Sequence, residues 1–519
     1  MSLDAEIMRL AHQYKGLARE ILAEAVRIPA DYVNKPVSEG GDPRCGTSNH
    51  EEPRLRYLRE MCIRHHAVED PADVFFDDFG SIVFTVQDKS DGIPAAQKKV
   101  IYFDGHTDTV NPLRQAWRDK IGGGIDCYDG LTDPTKVDRA FLDSQLGYLA
   151  PQSEWNECLF GRGTADQLAG VVGEIVACKI MLETKHLGSL RGVIIRAYGT
   201  VAEEDNDGGA PRYVVNHVLP GAGPEIVPDV VIHTEGTGCS KQGALGIYRG
   251  QRGRMQIEVD VVGKSCHGSM PWMGVNPLEY GARIIAEAND MYNRREAILD
   301  DAFLGHGTRV TSDCSLDTPS DCAVPERFRF RFDRRITAGE LPEQCVRDID
   351  TLPSVAAARA AGCKVTVSVP LYDTPTWKGA HPNNPQIYAS WVTPAEHPAI
   401  RAAVAAYKNV VTPAIPAGHV EAPHSIHREP RVSRWIFSTD GVGYPIPVDN
   451  KTINVPETKK WVTTGAFKHP AMFGFGAGYE QNTHKIGEWV DCREIEHCLA
   501  LYARFPSLYV ETCAHEEHH

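Results

Sequence analysis

The sequence predicts an α/β protein: a doubly wound mixed sheet interrupted by a smaller α+β sandwich. Three observations carry this. Short apolar runs closed by turn residues recur, as in Val100-Ile-Tyr-Phe-Asp-Gly-His106, which is how strands buried on both faces of a sheet read. Stretches of helical period lie between them, for example Leu168, Val171, Val172, Ile175, Val176 and Ile180. From Leu245 the pattern changes to alternation at Met255, Ile257, Val259 and Val261, the signature of a half-exposed strand in a second unit.

Length and composition narrow the function classes. A chain of 519 residues is too long for one ordinary core, so two domains are expected. Hydrophobic content of 42% and charged content of 24% suit a soluble globular protein. The net charge of −15 argues against a nucleic-acid backbone or an anionic membrane as partner. No stretch approaches the roughly 20 apolar residues of a membrane span. Asp4, Glu6 and Arg9 break up the N-terminus as a signal peptide. The 14 cysteines form no CxxC pair and read as reduced thiols, so a cytoplasmic location is expected.

In chain order, Ile7, Leu10, Ala11, Tyr14, Leu17, Ala18, Ile21 and Leu22 give an amphipathic helix. A polar loop from Ile28 to about Ser48, a helix from Glu52 to His65 and a strand from Ile82 to Val86 lead to the strand ending at His106. In an open α/β sheet the chemistry sits beyond the carboxyl ends of the strands, where His106 and Asp108 fall. Imidazole is a common metal ligand, and Asp108 can hold its second ring nitrogen. Residues 111–157, with Gly122-Gly-Gly124, read as a long surface excursion. Asp166 then stands at or just before a helix N-terminus, a position an N-cap would also occupy. Val193 to Tyr198 empties into Glu203-Glu204-Asp205, and Asp229 to His233 into Thr234-Glu235. Adjacent carboxylates repel unless a positive charge sits between them.

The second unit reads as a turn at Gly263-Lys-Ser-Cys-His267-Gly-Ser and a helix from Pro277 to Met291. An alternating strand at Phe328-Arg-Phe-Arg-Phe, a helix from Pro342 to Leu352 and a strand from Lys364 to Val369 complete it. Proline-rich residues 370–398 bring the chain back to a helix from Ala399 to Val411. A second excursion through 412–435 precedes the strand Ala471 to Phe475 and His484. The expected division is therefore 1–245 and 378–519 for the large domain, with 246–377 inserted.

Three carboxylates (Asp166, Glu204, Glu235) and two neutral imidazoles (His106, His484) make a negative donor set. One divalent ion leaves it negative; two overshoot by a single charge, which a bound hydroxide neutralises. Two Zn²⁺ bridged by Asp166, roughly 3.5–4 Å apart, fill it sensibly. Glu203 is left without a metal, placed as general base and then as proton donor to the leaving amine.

These motifs, in this order from Ala18 to Val490, resemble the zinc aminoacylase, acetylornithine deacetylase, succinyl-diaminopimelate desuccinylase and carboxypeptidase G family of co-catalytic metallopeptidases. Gly105-His106-Thr-Asp108 is similar to its first ligand motif and Gly161-Arg-Gly-Thr-Ala-Asp166 to its bridging-aspartate motif. Glu203-Glu204 is similar to its base-plus-ligand pair, Glu235 to its terminal acid and His484 to its last ligand. The resemblance further implies a zinc-peptidase-like catalytic domain with an inserted lid and dimerisation domain, hence a homodimer. It implies that His267 reaches the neighbouring subunit's site to steady the oxyanion. It also implies that Asp333-Arg334-Arg335 carries an arginine for the substrate carboxylate, a task a guanidinium fork suits. Val310-Thr-Ser, Thr318-Pro-Ser-Asp-Cys-Ala-Val-Pro and Asp333-Arg-Arg-Ile-Thr are most similar to the branch linked to selenium metabolism. The long His106–Asp166 and Val411–Ile436 gaps depart from the family pattern.

The expected activity is hydrolysis of an amide bond in a small carboxylate-bearing substrate, a dipeptide or an N-acyl amino acid. Hydroxide supplied by the metal pair attacks and Glu203 moves the proton. Mn²⁺ or Co²⁺ can replace Zn²⁺ at a carboxylate-rich site. The alternatives are hydrolysis of a non-peptide C–N bond (deamination or carbamoyl removal) and a binding protein on an inactive fold. His419, His424 and His427, in the second excursion, could line a substrate site but read rather as solvated loop residues. His515-Glu-Glu-His-His519 fits HExxH only formally, being the exposed end of the chain. Gly474-Phe-Gly-Ala-Gly lacks dinucleotide-loop spacing.

Overall fold

Lys99–His106 lies at the middle of a nine-stranded mixed sheet, buried from Val100 to its end. The computed structural model describes residues 1–30, 50–110, 113–120, 130 and 138–517. Across the sheet the order is Val74–Phe76, Ile82–Gln87, Val193–Thr200, Lys99–His106, Val230–His233, Ala471–Gly474, Ile247–Gln251 and Trp391–Val392. The four strands Val193–Thr200, Lys99–His106, Val230–His233 and Ala471–Gly474 run parallel. Their carboxyl ends therefore open on one edge, and the segments carrying His106, Glu203, Glu235 and His484 all leave from it. Ile82–Gln87 and Ile247–Gln251 pair antiparallel on either side, which makes the sheet mixed.

Each face is covered as the apolar patterns require. On one side, the helices Leu3–Arg27, Ala169–Glu183, Pro398–Ala406 and Cys492–Glu517 share a core with Ile101, Phe103, Ile195 and Phe473. Ala169–Glu183 is apolar all round because it is buried nearly all round. The opposite face carries Tyr102, Tyr198, Val231 and Met472 under Trp391, Trp435 and Tyr444. No described helix is long and apolar enough to cross a membrane, and the described cysteines are free thiols.

The inserted unit is a five-stranded antiparallel sheet ordered Thr308–Asp317, Arg327–Ile336, Gly253–Val262 and Lys364–Ser368, with Ile387–Tyr388 also on Gly253–Val262. Gly253–Val262 and Arg327–Ile336 bury every second residue, as their alternation predicts. Their inner residues pack on the helices Pro277–Asn293, Pro342–Asp350 and Pro353–Ala360. The third helix is a correction to the expected two: Pro353 opens it at the first turn, where a proline costs no helical bond. The Gly263–Ser269 turn also holds a two-residue strand, Cys266–His267, paired with Ala323–Val324.

Both excursions are more structured than their weak periodicity suggests. In 111–157 the described residues form the helices Arg114–Lys120 and Arg139–Gln145. Trp117, Leu142 and Trp155 join Phe160, Tyr479 and Trp489 in a buried aromatic cluster. Gly122 to Gly124, and most of the loop expected from Ile28 to Ser48, lie outside the described residues. The segment 412–435 ends in the strand Val432–Trp435, which joins the large sheet beside Ile247–Gln251. The last described helix runs from Cys492 to Glu517, and Glu516 on it pairs with Arg401 and Lys460.

His469 makes a pH dependence measurable. It is 0% exposed, and burial pushes its imidazole down to about 4. The unfolded chain, with a histidine near 6.5, binds the extra proton first, so stability is lost as pH falls from about 6.5 to 4. The loss attributable to this group approaches about 3 kcal/mol. Urea midpoints at pH 7 and pH 5 should differ less for His469→Gln than for the parent chain. An unchanged pH slope would show that His469 takes up its proton equally in the folded and unfolded chain.

Candidate metal centre

His106, the last residue of its strand, is 1% exposed. Its Nε2 lies 2.9 Å from Asp166 Oδ1 and 3.6 Å from Glu235 Oε2. Its Nδ1 is 3.2 Å from both the carbonyl oxygen and the Oδ1 of Asp108. Asp108, expected to orient this ring, also accepts hydrogen bonds from the backbone N–H groups of Glu203 (3.2 Å) and Glu204 (3.1 Å). One carboxylate thus fixes two of the strand-end segments. Ala202, just before Glu203, and His484 both adopt left-handed backbone, with φ of 59° and 61°. Such conformations persist only where surrounding contacts enforce them.

Asp166 faces two imidazoles. Oδ1 meets His106, and Oδ2 lies 3.1 Å from His484 Nε2, which is also 3.1 Å from Glu204 Oε2. The donors therefore sort into two groups sharing Asp166, one with His106 and Glu235 and the other with His484 and Glu204. Glu235 is steadied by the side-chain N–H of Gln167 (2.9 Å) and Glu204 by the backbone N–H of Val110 (3.1 Å). One ligand atom each from His106, Asp166 and Glu204 already lies within 4.8 Å of the others. The capping alternative for Asp166 falls away: the helix Ala169–Glu183 is preceded by Leu168, and Asp166 sits in the kink upstream.

That kink is held by a residue the sequence reading missed. Glu488 is buried, and its Oε1 accepts from the N–H groups of Gly163 (3.1 Å), Ala165 (3.0 Å) and Asp166 (3.0 Å). Its Oε2 meets Arg162 Nη1 at 2.6 Å. At 322 residues from Asp166, this partner carries no local sequence signal.

The electrostatics call for a cation. Burial pushes Glu204 up to about 7 and Glu235 up to about 8, and the negative charge of Asp166 adds to both. Burial alone would raise Asp166, but hydrogen bonds from His106 and His484 hold it well below the usual range. Burial opposes charge on His484, yet Asp166 and Glu204 outweigh it and lift the ring to about 11. Among the described residues no Lys or Arg pairs with Asp166, Glu204 or Glu235. A set of three carboxylates and two imidazoles, buried or half-buried except for the exposed His484 ring, fits divalent-cation binding. Glu203, 3.9 Å from His106 Nε2, stands beside the set, and burial holds its carboxyl well above the ordinary value.

The set opens into a cavity of about 370 Å³ lined by Asp166, Glu203, Glu204, Glu235, Arg335 and Ser438 among others. Arg335 is fixed by Asp333 Oδ1 (2.8 Å to Nε) and donates from Nη1 to Ser438 Oγ (2.8 Å). Arg334 does not reach the cavity. Alternation along the strand turns it to the opposite face, where it is 0% exposed and bonded to Glu340 and to the Ala297 carbonyl. It is a buried structural arginine, which corrects its expected place in substrate binding. His267 also lies away from this cavity: it is exposed, and its Nδ1 accepts from Ser269 N–H and Oγ. His424 stacks on Tyr148 at 4.4 Å and His427 is half-buried beside the Ala422 carbonyl, so only His419 is the solvated loop residue expected.

Comparisons with known proteins agree with this layout. Residues 249–360 match the M20 peptidase dimerisation domain. The chain is 32% identical over 363 residues to the uncharacterized protein YgeY of Escherichia coli K12, covering 69% of this chain and 75% of that protein. In fold it is similar to the di-peptidase Dug1p from Saccharomyces cerevisiae, with a TM-score of 0.59, 12% identity and 98% and 99% of the two chains covered. It is likewise similar to the M20 family metallo-carboxypeptidase Sso-CP2 from Sulfolobus solfataricus, with a TM-score of 0.58, 13% identity and 94% and 98% covered.

Proposed function

Since this chain belongs to the M20 family of metallopeptidases, metal-dependent hydrolases of C–N bonds, we propose that it cleaves the amide bond of a small substrate with a free carboxylate, a dipeptide or N-acyl amino acid. The observation that carries this reading is Asp166, with one oxygen on each of two imidazoles and one further carboxylate behind each imidazole. His106, Asp166 and Glu235 would hold one divalent ion, and Asp166, Glu204 and His484 the other. When bound, two zinc ions supply Lewis acidity, polarising a carbonyl and easing deprotonation of water near neutral pH.

The chain's own residues do the rest. Asp108 keeps the His106 ring and the Glu203–Glu204 turn in fixed relation. Glu203 takes the proton of the attacking water and passes it to the leaving amine; its raised affinity for a proton suits the second half of that task. Arg335, held by Asp333 and Ser438, grips the substrate carboxylate across the cavity. Ile247–Gln251 and Trp391–Val392 belong to the large sheet and Ile387–Tyr388 to the inserted one. The lid through which two copies pair therefore runs from Gly253 to Tyr388 rather than over 246–377, and the rest forms the catalytic domain. His267 then belongs to the site of the partner subunit.

Two measurements test this. Elemental analysis should give two divalent ions per chain, and one or none after reconstitution would exclude the paired site. A panel of dipeptides and N-acyl amino acids should be hydrolysed at least about tenfold faster than the matching C-terminal amides, since a bidentate charged contact is worth roughly 1.5–3 kcal/mol. Equal rates would remove Arg335 from its role.

A further inference from the structure

A second cavity lies between the segment 148–154 and the segment 414–426, where both excursions from the family pattern meet. Its volume is about 440 Å³, against about 370 Å³ at the metal centre, and the two share no lining residue. Tyr148, Ile415, Ile426 and Tyr479 supply apolar and aromatic wall. Asp491 and Glu494 also line it, 7% and 2% exposed. Size and lining are those of a small-molecule site.

The charge balance defines the ligand. Arg493, the only cationic side chain among the lining residues, is taken by Asp491 (2.6 Å) and Glu154 (2.5 Å). Glu494 accepts the backbone N–H of Gly478 at 2.9 Å and forms no ion pair among the described residues. The nearby His497 adds no charge at neutral pH, since burial pushes it down to about 4. The wall therefore holds more carboxylate than cation. Burial, with Asp491 beside it, holds the Glu494 carboxyl well above its ordinary value, so that an incoming cation is what would let it ionise. A metal is not the answer. Among the described residues, only His106, Asp166 and Glu204 bring three ligand atoms within 4.8 Å of one another. An ammonium needs no such convergence: it is a compact cation with three donors, and its carbon body would pack on Tyr148 and Ile415.

We propose that this cavity is a binding site for a small primary amine with an apolar or aromatic body, its ammonium on Glu494. The site adjoins the metal centre from behind. Gly478, held by Glu494, packs against Ala165, the neighbour of Asp166. Asn482, two residues before His484, donates to the Tyr148 carbonyl at 2.8 Å. An occupant would thus rest on the segments that carry two of the proposed metal ligands.

The test is calorimetric titration of the metal-loaded full chain with phenethylamine, and with 2-phenylethanol as the uncharged match. Phenethylamine should bind at one site per chain and the alcohol at least tenfold more weakly. Glu494→Gln should weaken the amine at least tenfold. So should Ala414→Trp, which fills the exposed rim without touching the metal centre and decides the matter should Glu494→Gln not fold. No saturable binding, equal binding of the alcohol, or undiminished binding in Ala414→Trp would overturn the proposal; the last would place the amine elsewhere.

Discussion

Glu203→Gln should keep its fold and its metal while kcat falls by about 10²–10⁴-fold, the range that general acid–base catalysis contributes. The substitution is nearly isosteric, so the buried side chain still fills its place and leaves no cavity. Its main-chain N–H still bonds to Asp108, which keeps Glu204, a proposed ligand, in position. What disappears is an acidic side chain, 3.9 Å from His106 Nε2 and facing the cavity, that neither triplet uses. Because Glu203 is separate from substrate binding, KM should change far less than kcat. Parallel elemental analysis and steady-state kinetics decide it. Turnover within about threefold of the parent would remove Glu203 as the proton carrier, and loss of metal would make it a ligand instead.

The site was legible in the sequence to the extent that strand ends are legible. His106, Glu203 and Glu235 each follow an apolar run, and parallel pairing of those runs delivers them to one edge. The residues around Asp166 read only as a helix start, and its expected bridging role comes from the charge count and the family resemblance. Its placement depends on Glu488, whose position no local pattern announces. Arg334 shows the opposite error. The alternation of Phe328, Phe330 and Phe332 places residue 334 inward and 335 outward, so period two alone separates the two arginines. The excursions stayed opaque because their burial is aromatic and non-periodic. Trp117 and Trp155 pack on Trp489 and Tyr479, far away in sequence, and no 3.6- or 2-residue rhythm records such contacts.

His267→Ala should lower kcat by about 10²–10³-fold, the usual cost of removing one donor to a developing oxyanion, with folding intact because the side chain is exposed. The difficulty for any role within its own chain is plain: His267 is not among the residues lining the cavity at the metal centre. It lies on the same short segment as Met270, Trp272 and Met273, which are 40%, 77% and 56% exposed. Three large apolar side chains within four residues make a surface that gains by being covered. A second copy covering it would bring His267 to a site it cannot reach alone. The decisive experiment mixes two inactive chains, Glu203→Gln and His267→Ala. In a heterodimer one site has lost both groups, while the other combines an intact Glu203 with an intact His267 from its partner. Random pairing of equal amounts should therefore restore about one quarter of the parent activity per chain, since two-fold symmetry sets half the dimers mixed and half their sites whole. Verified heterodimers no more active than either parent variant would confine His267 to its own chain and break the shared-site reading.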